Sequence, residues 1–162
     1  MKKSLLIIAA VAIVTVGGVF AISPYFTNTT IDEALPSTAV QSMMEEKAMM
    51  EEKAMKTYVG TFVGVGDGIH DAQGIAKTIS LEDGSKVLRL ENFKATNGPD
   101  LYVYLAANTK ASEFVSLGKL KANNGNQNYE IPDGTDLEKY NKVLIWCKTF
   151  GVLFGNADLS SQ

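Results

Sequence analysis

The chain has 162 residues, a formal charge of −3 and a pI near 5.2. That length admits one domain beside any targeting segment, and the acidic balance offers no basic patch for nucleic acid. One cysteine, Cys147, and one histidine, His70, rule out an intrachain disulfide, a zinc site built from Cys and His ligands, and a blue-copper site of two His and one Cys.

Lys2 and Lys3 precede an uncharged run over 5–22, LLIIAAVAIVTVGGVFAI. A bilayer core takes roughly 20 apolar residues of helix, and the two leading lysines put the N-terminus in the cytoplasm. Residues 1–23 therefore read as a membrane anchor or signal segment. A cleaved signal would have a shorter apolar core, typically about 7–15 residues, so an uncleaved transmembrane helix through 5–22 is the favoured reading. Either way the rest of the chain is expected on the extracytoplasmic side.

Residues 24–56 read as a linker rich in Met, Glu and Lys. Thr27 to Thr30, Pro36 and Ser37 are loop-like, and Asn28-Thr29-Thr30 is a glycosylation sequon. Thr38 with Gln41 resembles a capping box. It opens an expected helix with MMEEKA twice over 43–54, made of good helix formers. About eighteen residues of such helix would lift the domain roughly 27 Å. The methionine thioethers are soft ligands for Cu(I), but a period of six spreads Met43, Met49 and Met55 around the helix, which favours a spacer.

From Tyr58 onward, glycines punctuate short runs of Val, Ile, Leu, Phe and Tyr, the pattern of strands and turns. Strands are expected at 58–65, 75–81, 86–91, 101–105, 114–117, 127–131, 143–149 and 150–154. Asp83-Gly84 marks a hairpin. Leu101, Val103 and Leu105 alternate with Tyr102 and Tyr104, giving that strand two distinct faces. Asn97-Gly98-Pro99-Asp100 reads as a turn. The expected fold is all-β, an antiparallel β-sandwich over 57–160, preceded by the N-terminal transmembrane helix and helical linker.

Several segments of this half carry a family resemblance together. They are Gly60-Thr61-Phe62, His70 with Gly74, Leu88-Arg89-Leu90-Glu91-Asn92-Phe93, the run from Asn97 to Leu105, Leu117-Gly118 with Leu120-Lys121, Asn128-Tyr129 with Ile131-Pro132, and Val143 through Phe154 around Trp146-Cys147. In order and spacing they resemble the DM-thirteen domain, a relative of the DOMON domains, across residues 57–160. The resemblance implies a β-sandwich and a role in extracellular redox chemistry or electron transfer. It centres that role on a cysteine matching Cys147, acting either as a bare thiol or as the ligand of a prosthetic group such as haem.

The residues themselves keep a plainer alternative open. On a strand, Val143, Ile145 and Cys147 share one face, and a free cysteine is commonly a small buried hydrophobe. A reactive thiolate needs a neighbouring positive charge or metal, and Lys148 points to the opposite face. His70 is a candidate second haem ligand, or a loop histidine satisfied by Asp71 or the backbone. No CxxCH motif is present, so any haem would be held non-covalently. Arg89, the sole arginine, points with Val87 and Glu91 and suits an ion pair. No catalytic triad or metal set is legible, so neither hydrolase nor transferase activity is expected. The function expected is a membrane-tethered electron-transfer or thiol-redox domain with a redox or surface protein partner. The alternative is a non-catalytic cell-surface binding or adhesion module whose cysteine is structural.

Overall fold

The computed structural model describes residues 27–36 and 56–162. The expected transmembrane helix and the MMEEKA helix lie outside the described residues. Among those described, no helix is long and apolar enough to cross a membrane.

Among the described residues, ten strands make one curled mixed sheet: β1 (Thr30–Asp32), β2 (Tyr58–Gly64), β3 (Ala72–Ser80), β4 (Lys86–Ala95), β5 (Leu101–Ala106), β6 (Phe114–Lys119), β7 (Asn124–Ile131), β8 (Lys142–Cys147), β9 (Val152–Asp158) and β10 (Ser160–Ser161). Their order across the sheet is β1-β7-β4-β3-β2-β9-β8-β5-β6, with β10 beside β2. The all-β expectation holds, but the sheet is not antiparallel throughout, because β1 runs parallel to β7. That strand falls in the stretch read from sequence as linker. Three residues, Thr-Ile-Asp, carry too little hydrophobic pattern to announce a strand.

The curl is produced at β2. Val59 to Thr61 pair with β3, whereas Phe62 to Gly64 pair with β9. One strand thus passes from one half of the sheet to the other, and the halves close on a shared core. Phe62 meets Phe93 edge-on at 5.3 Å between ring centroids. Leu88 and Leu90 of β4, Leu101, Val103 and Leu105 of β5, and Val143, Ile145 and Cys147 of β8 fill the same cluster. Each fully buried aliphatic side chain contributes about 1.5–3 kcal/mol of transfer free energy. The alternation expected for β5 is realised: its leucines and valine face this core, while Tyr104 joins Leu144 and Trp146 in a second cluster on the outer face.

The β3–β4 hairpin turns where Asp83-Gly84 predicted it. Gly84 sits at φ 85°, Leu81 N–H donates to the Ser85 carbonyl, and Asp83 Oδ1 accepts from Ser85 N–H at 2.9 Å. Elsewhere the strands run past their expected limits, β4 to Ala95 and β9 to Asp158. A register shift between Leu90 and Phe93, with Asn92 at φ 48°, lets β4 bend and continue.

The pairing registers collect one set of connections at one end of the molecule. Ala72 lies opposite Ala95, Lys94 opposite Asn124, Leu101 opposite Cys147, and Cys147 opposite Val152. The segments 65–71, 96–100, 120–123 and 148–151 therefore share that end with the start of β1. The β3–β4 hairpin, the start of β2 and the C-terminus lie at the other.

β1 is fastened along β7 by charge and backbone together. Arg89, 5 % exposed, donates to Glu91 Oε1 at 2.9 Å, to Asn128 Oδ1 at 2.9 Å, and to the carbonyls of Glu33 and Ala34. Lys121 Nζ reaches Glu33 Oε1 at 2.7 Å, and Asn128 N–H donates to Glu33 Oε2 at 2.6 Å. The ion pair expected of Arg89 exists, with Glu91 as its partner, and the guanidinium also holds the strap.

Candidate functional site

Cys147 is the last residue of β8, and the alternation of that strand turns it inward with Val143 and Ile145. Its side chain is 1 % exposed. The hairpin that follows is tied down from a neighbouring loop. Lys148 N–H donates to the Asp100 carbonyl at 3.0 Å, Thr149 Oγ1 donates to Asp100 Oδ2 at 2.8 Å, and Gly151 N–H returns to the Cys147 carbonyl at 2.9 Å. Lys148 does point away from the thiol, as alternation predicted: its ammonium lies 5.1 Å over the Tyr102 ring on the outer face.

His70 closes the loop between β2 and β3. It is anchored by Asp67 rather than by Asp71 or the backbone, the two partners expected. Asp67 Oδ1 accepts from the backbone N–H groups of Ile69 and His70, and Oδ2 lies 2.6 Å from His70 Nδ1. Asp71 is engaged instead by Gln73 Nε2 at 2.7 Å. The backbone N–H of His70, then its ring, then Ile69 N–H hold the Asp67 carboxyl down at about 2. An ionised carboxylate only accepts, so the proton of a neutral His70 sits on Nδ1, and Nε2 is the nitrogen left for a ligand or a proton. The ring packs edge-on against Phe154, 4.5 Å between centroids.

Phe154 is a member of the core cluster that also contains Cys147. The two expected site residues thus lie at the same end of the fold, joined through that cluster by an aromatic ring. Sequence reading named Phe154 only as the end of the family motif and gave it no role, because nothing in its local pattern separates it from any other core aromatic. The Asp100–Thr149 bond spans 49 residues and has no local signal either.

A thiolate-ligated haem needs sulfur facing a cavity of porphyrin size. Here the sulfur is closed into a core with Leu101, Ile145 and Phe154. An open groove of about 710 Å³, lined by Tyr58, Leu81, Lys86 and Leu137, lies at the opposite end of the molecule. The residues around Cys147 as packed do not fit haem. Among the described residues no group of three or more His, Cys, Asp and Glu side chains is placed to hold a metal ion.

The outer face of the β5–β8 half carries a second constellation. Tyr104 stacks on Phe114 with centroids 4.1 Å apart, and Tyr102 lies 6.1 Å from Tyr104. Trp146 and Leu153 pack beside them, partly buried.

Comparison with curated proteins and with solved structures gives no match. A family model described as electron transfer DM13 matches residues 61–159. That span holds β3 to β9 entire, Cys147, His70 and Phe154, and it is the region where the sequence motifs carried their resemblance; the chain belongs to the DM13 electron-transfer family.

Proposed function

We propose that the chain is a membrane-tethered, extracytoplasmic domain that takes part in electron transfer or thiol redox chemistry, with Cys147 as its redox residue and His70 as an assisting group. The family match carries this reading, because it covers β3 to β9 and both residues. The packing adds a condition. Thiol exchange needs a thiolate within reach of a second sulfur, and a side chain 1 % exposed is not. The 148–151 hairpin, which continues from Cys147 and is tied to Asp100, is the segment whose lifting would give a partner access to the thiol.

The test is the rate at which iodoacetamide alkylates the folded domain, with an absorption spectrum and metal analysis of the same sample. Slow alkylation that quickens several-fold in Asp100→Ala, which loosens the hairpin, supports a gated thiol. No chromophore, no metal and a thiol inert in both proteins until denaturation would leave Cys147 as core packing.

A second reading is a non-redox binding module at the cell surface. The aromatic outer face of Tyr102, Tyr104, Phe114 and Trp146 favours it. Loss of partner or glycan binding in Tyr102→Ala, with Cys147→Ala silent, would select that reading.

A further inference from the structure

We infer that the end of the domain formed by the loops 65–71, 96–100, 120–123 and 148–151 rests on the lipid surface, with Ile69 and Phe150 entering the headgroup boundary. This rests on the proposed membrane anchoring and deepens it. The docked strap begins at Thr27 at that end, since Thr30 lies opposite Asn124 at the start of β7. Only four residues, Ser23 to Phe26, separate it from the apolar run ending at Ile22. The chain from Ile22 to Thr27 reaches about 18 Å at most. β4 alone, ten residues from Lys86 to Ala95, measures about 33 Å from one end of the domain to the other. The tether is thus shorter than the domain, and it leaves from the loop end.

That end has the chemistry of a lipid-facing surface. Ile69 is 71 % exposed and Phe150 63 %, and Val65 of the same loop as Ile69 is exposed as well. Large apolar side chains held in water on loops gain by entering the headgroup boundary. Exposed Lys94, Lys119 and Lys148 stand at or beside the strand ends at the same end of the fold and suit phosphate headgroups. The acidic groups here keep their charge but have oxygens bonded within the protein: Asp67 to His70, Asp71 to Gln73 and Asp100 to Thr149. The expected helical lift of the domain does not act between anchor and sheet, because residues 27–36 are already docked. The 37–55 segment leaves at Pro36 and returns at Lys56, both beside Leu81 at the far end.

The experiment uses the unmodified full chain in phosphatidylcholine vesicles doped with a lipid carrying a photoreactive diazirine near its glycerol. Vesicle flotation first reports anchoring; mass spectrometry then maps the label. The expected result is flotation, with labelling of 65–71 and 148–151 exceeding that of the far-end turn 131–137 by about five-fold or more. Ile69→Ser with Phe150→Ser should lower the loop labelling without abolishing flotation. Flotation with equal labelling, or with excess on 131–137 or on the outer face of β5 and β8, overturns the orientation and leaves the anchor standing. A chain that stays out of the vesicles overturns both.

Discussion

The Cys147 thiol and the His70 imidazole differ in what surrounds them, and that difference sets what each can be asked to do. His70 is partly exposed, with one nitrogen committed to Asp67 and the other uncommitted by that pair. Cys147 is buried in the apolar core cluster that also holds Leu101, Ile145 and Phe154. Serine at this position is almost the same size but brings a hydroxyl that loses water and finds no partner. Cys147→Ser is therefore expected to cost about 1–3 kcal/mol, and Cys147→Ala less than Cys147→Ser, as read by urea denaturation. Equal stability of serine and wild type would show that the site is wetter than its burial indicates. The inward direction of this residue was legible in the alternation Val143, Ile145, Cys147. Its burial was not, because the core cluster around it is assembled from several strands far apart in the chain.

Among the elements, β1 is the one the sequence concealed and the one most open to test. Its residues are polar or solitary, and its partners stand far off in the chain: Arg89 is 56 residues from Glu33, and Asn128 is 95. No window of local pattern contains such a bond. By contrast β5, β8 and the β3–β4 hairpin were legible, because alternation and a turn dipeptide are local signals. Strand ends were not, since β4 bends through a bulge rather than stopping. Gly125 offers a direct handle on β1. It holds φ 101°, and a methyl group there would overlap the Ile31 carbonyl oxygen. Gly125→Ala is expected to expel the strap and cost about 1–3 kcal/mol in backbone strain or lost docking. Limited proteolysis should then cut at 27–36 while the sheet core stays resistant. Acid should loosen the same contact. Burial works to raise the Glu33 carboxyl, but Lys121, the Asn128 N–H and the charge of Arg89 outweigh it and hold it below its ordinary 4.5. A lowered folded value means the stabilisation is complete above about pH 4.5 and lost as pH falls through the depressed value. Strap cleavage should accordingly rise on acidification below pH 4.5 and be absent at neutrality. A pH-independent cleavage rate would remove Glu33 from the account.

At the scale of the whole molecule, the strap turns the fold into a device with a preferred response to tension. The N-terminal run leaves from the loop end, and Gln162, whose N–H donates to the Thr57 carbonyl, sits at the opposite end. A load between the two ends runs along the strands, so β1 is pulled in shear against β7. Three paired residues and the Arg89–Glu33–Lys121 contacts resist it, whereas β3–β4, β4–β7, β5–β8 and β8–β9 are each paired along six to eight residues. The strap is expected to yield first. Its release frees the chain from Thr27 to Thr57, about 100 Å extended against the roughly 30 Å it spanned when docked. Single-molecule pulling should show a low-force step of about 70 Å of new contour before the sheet ruptures, and Gly125→Ala should erase that step alone. A domain lying on a surface would in this way gain slack under force while its core, and the buried thiol within it, stayed folded.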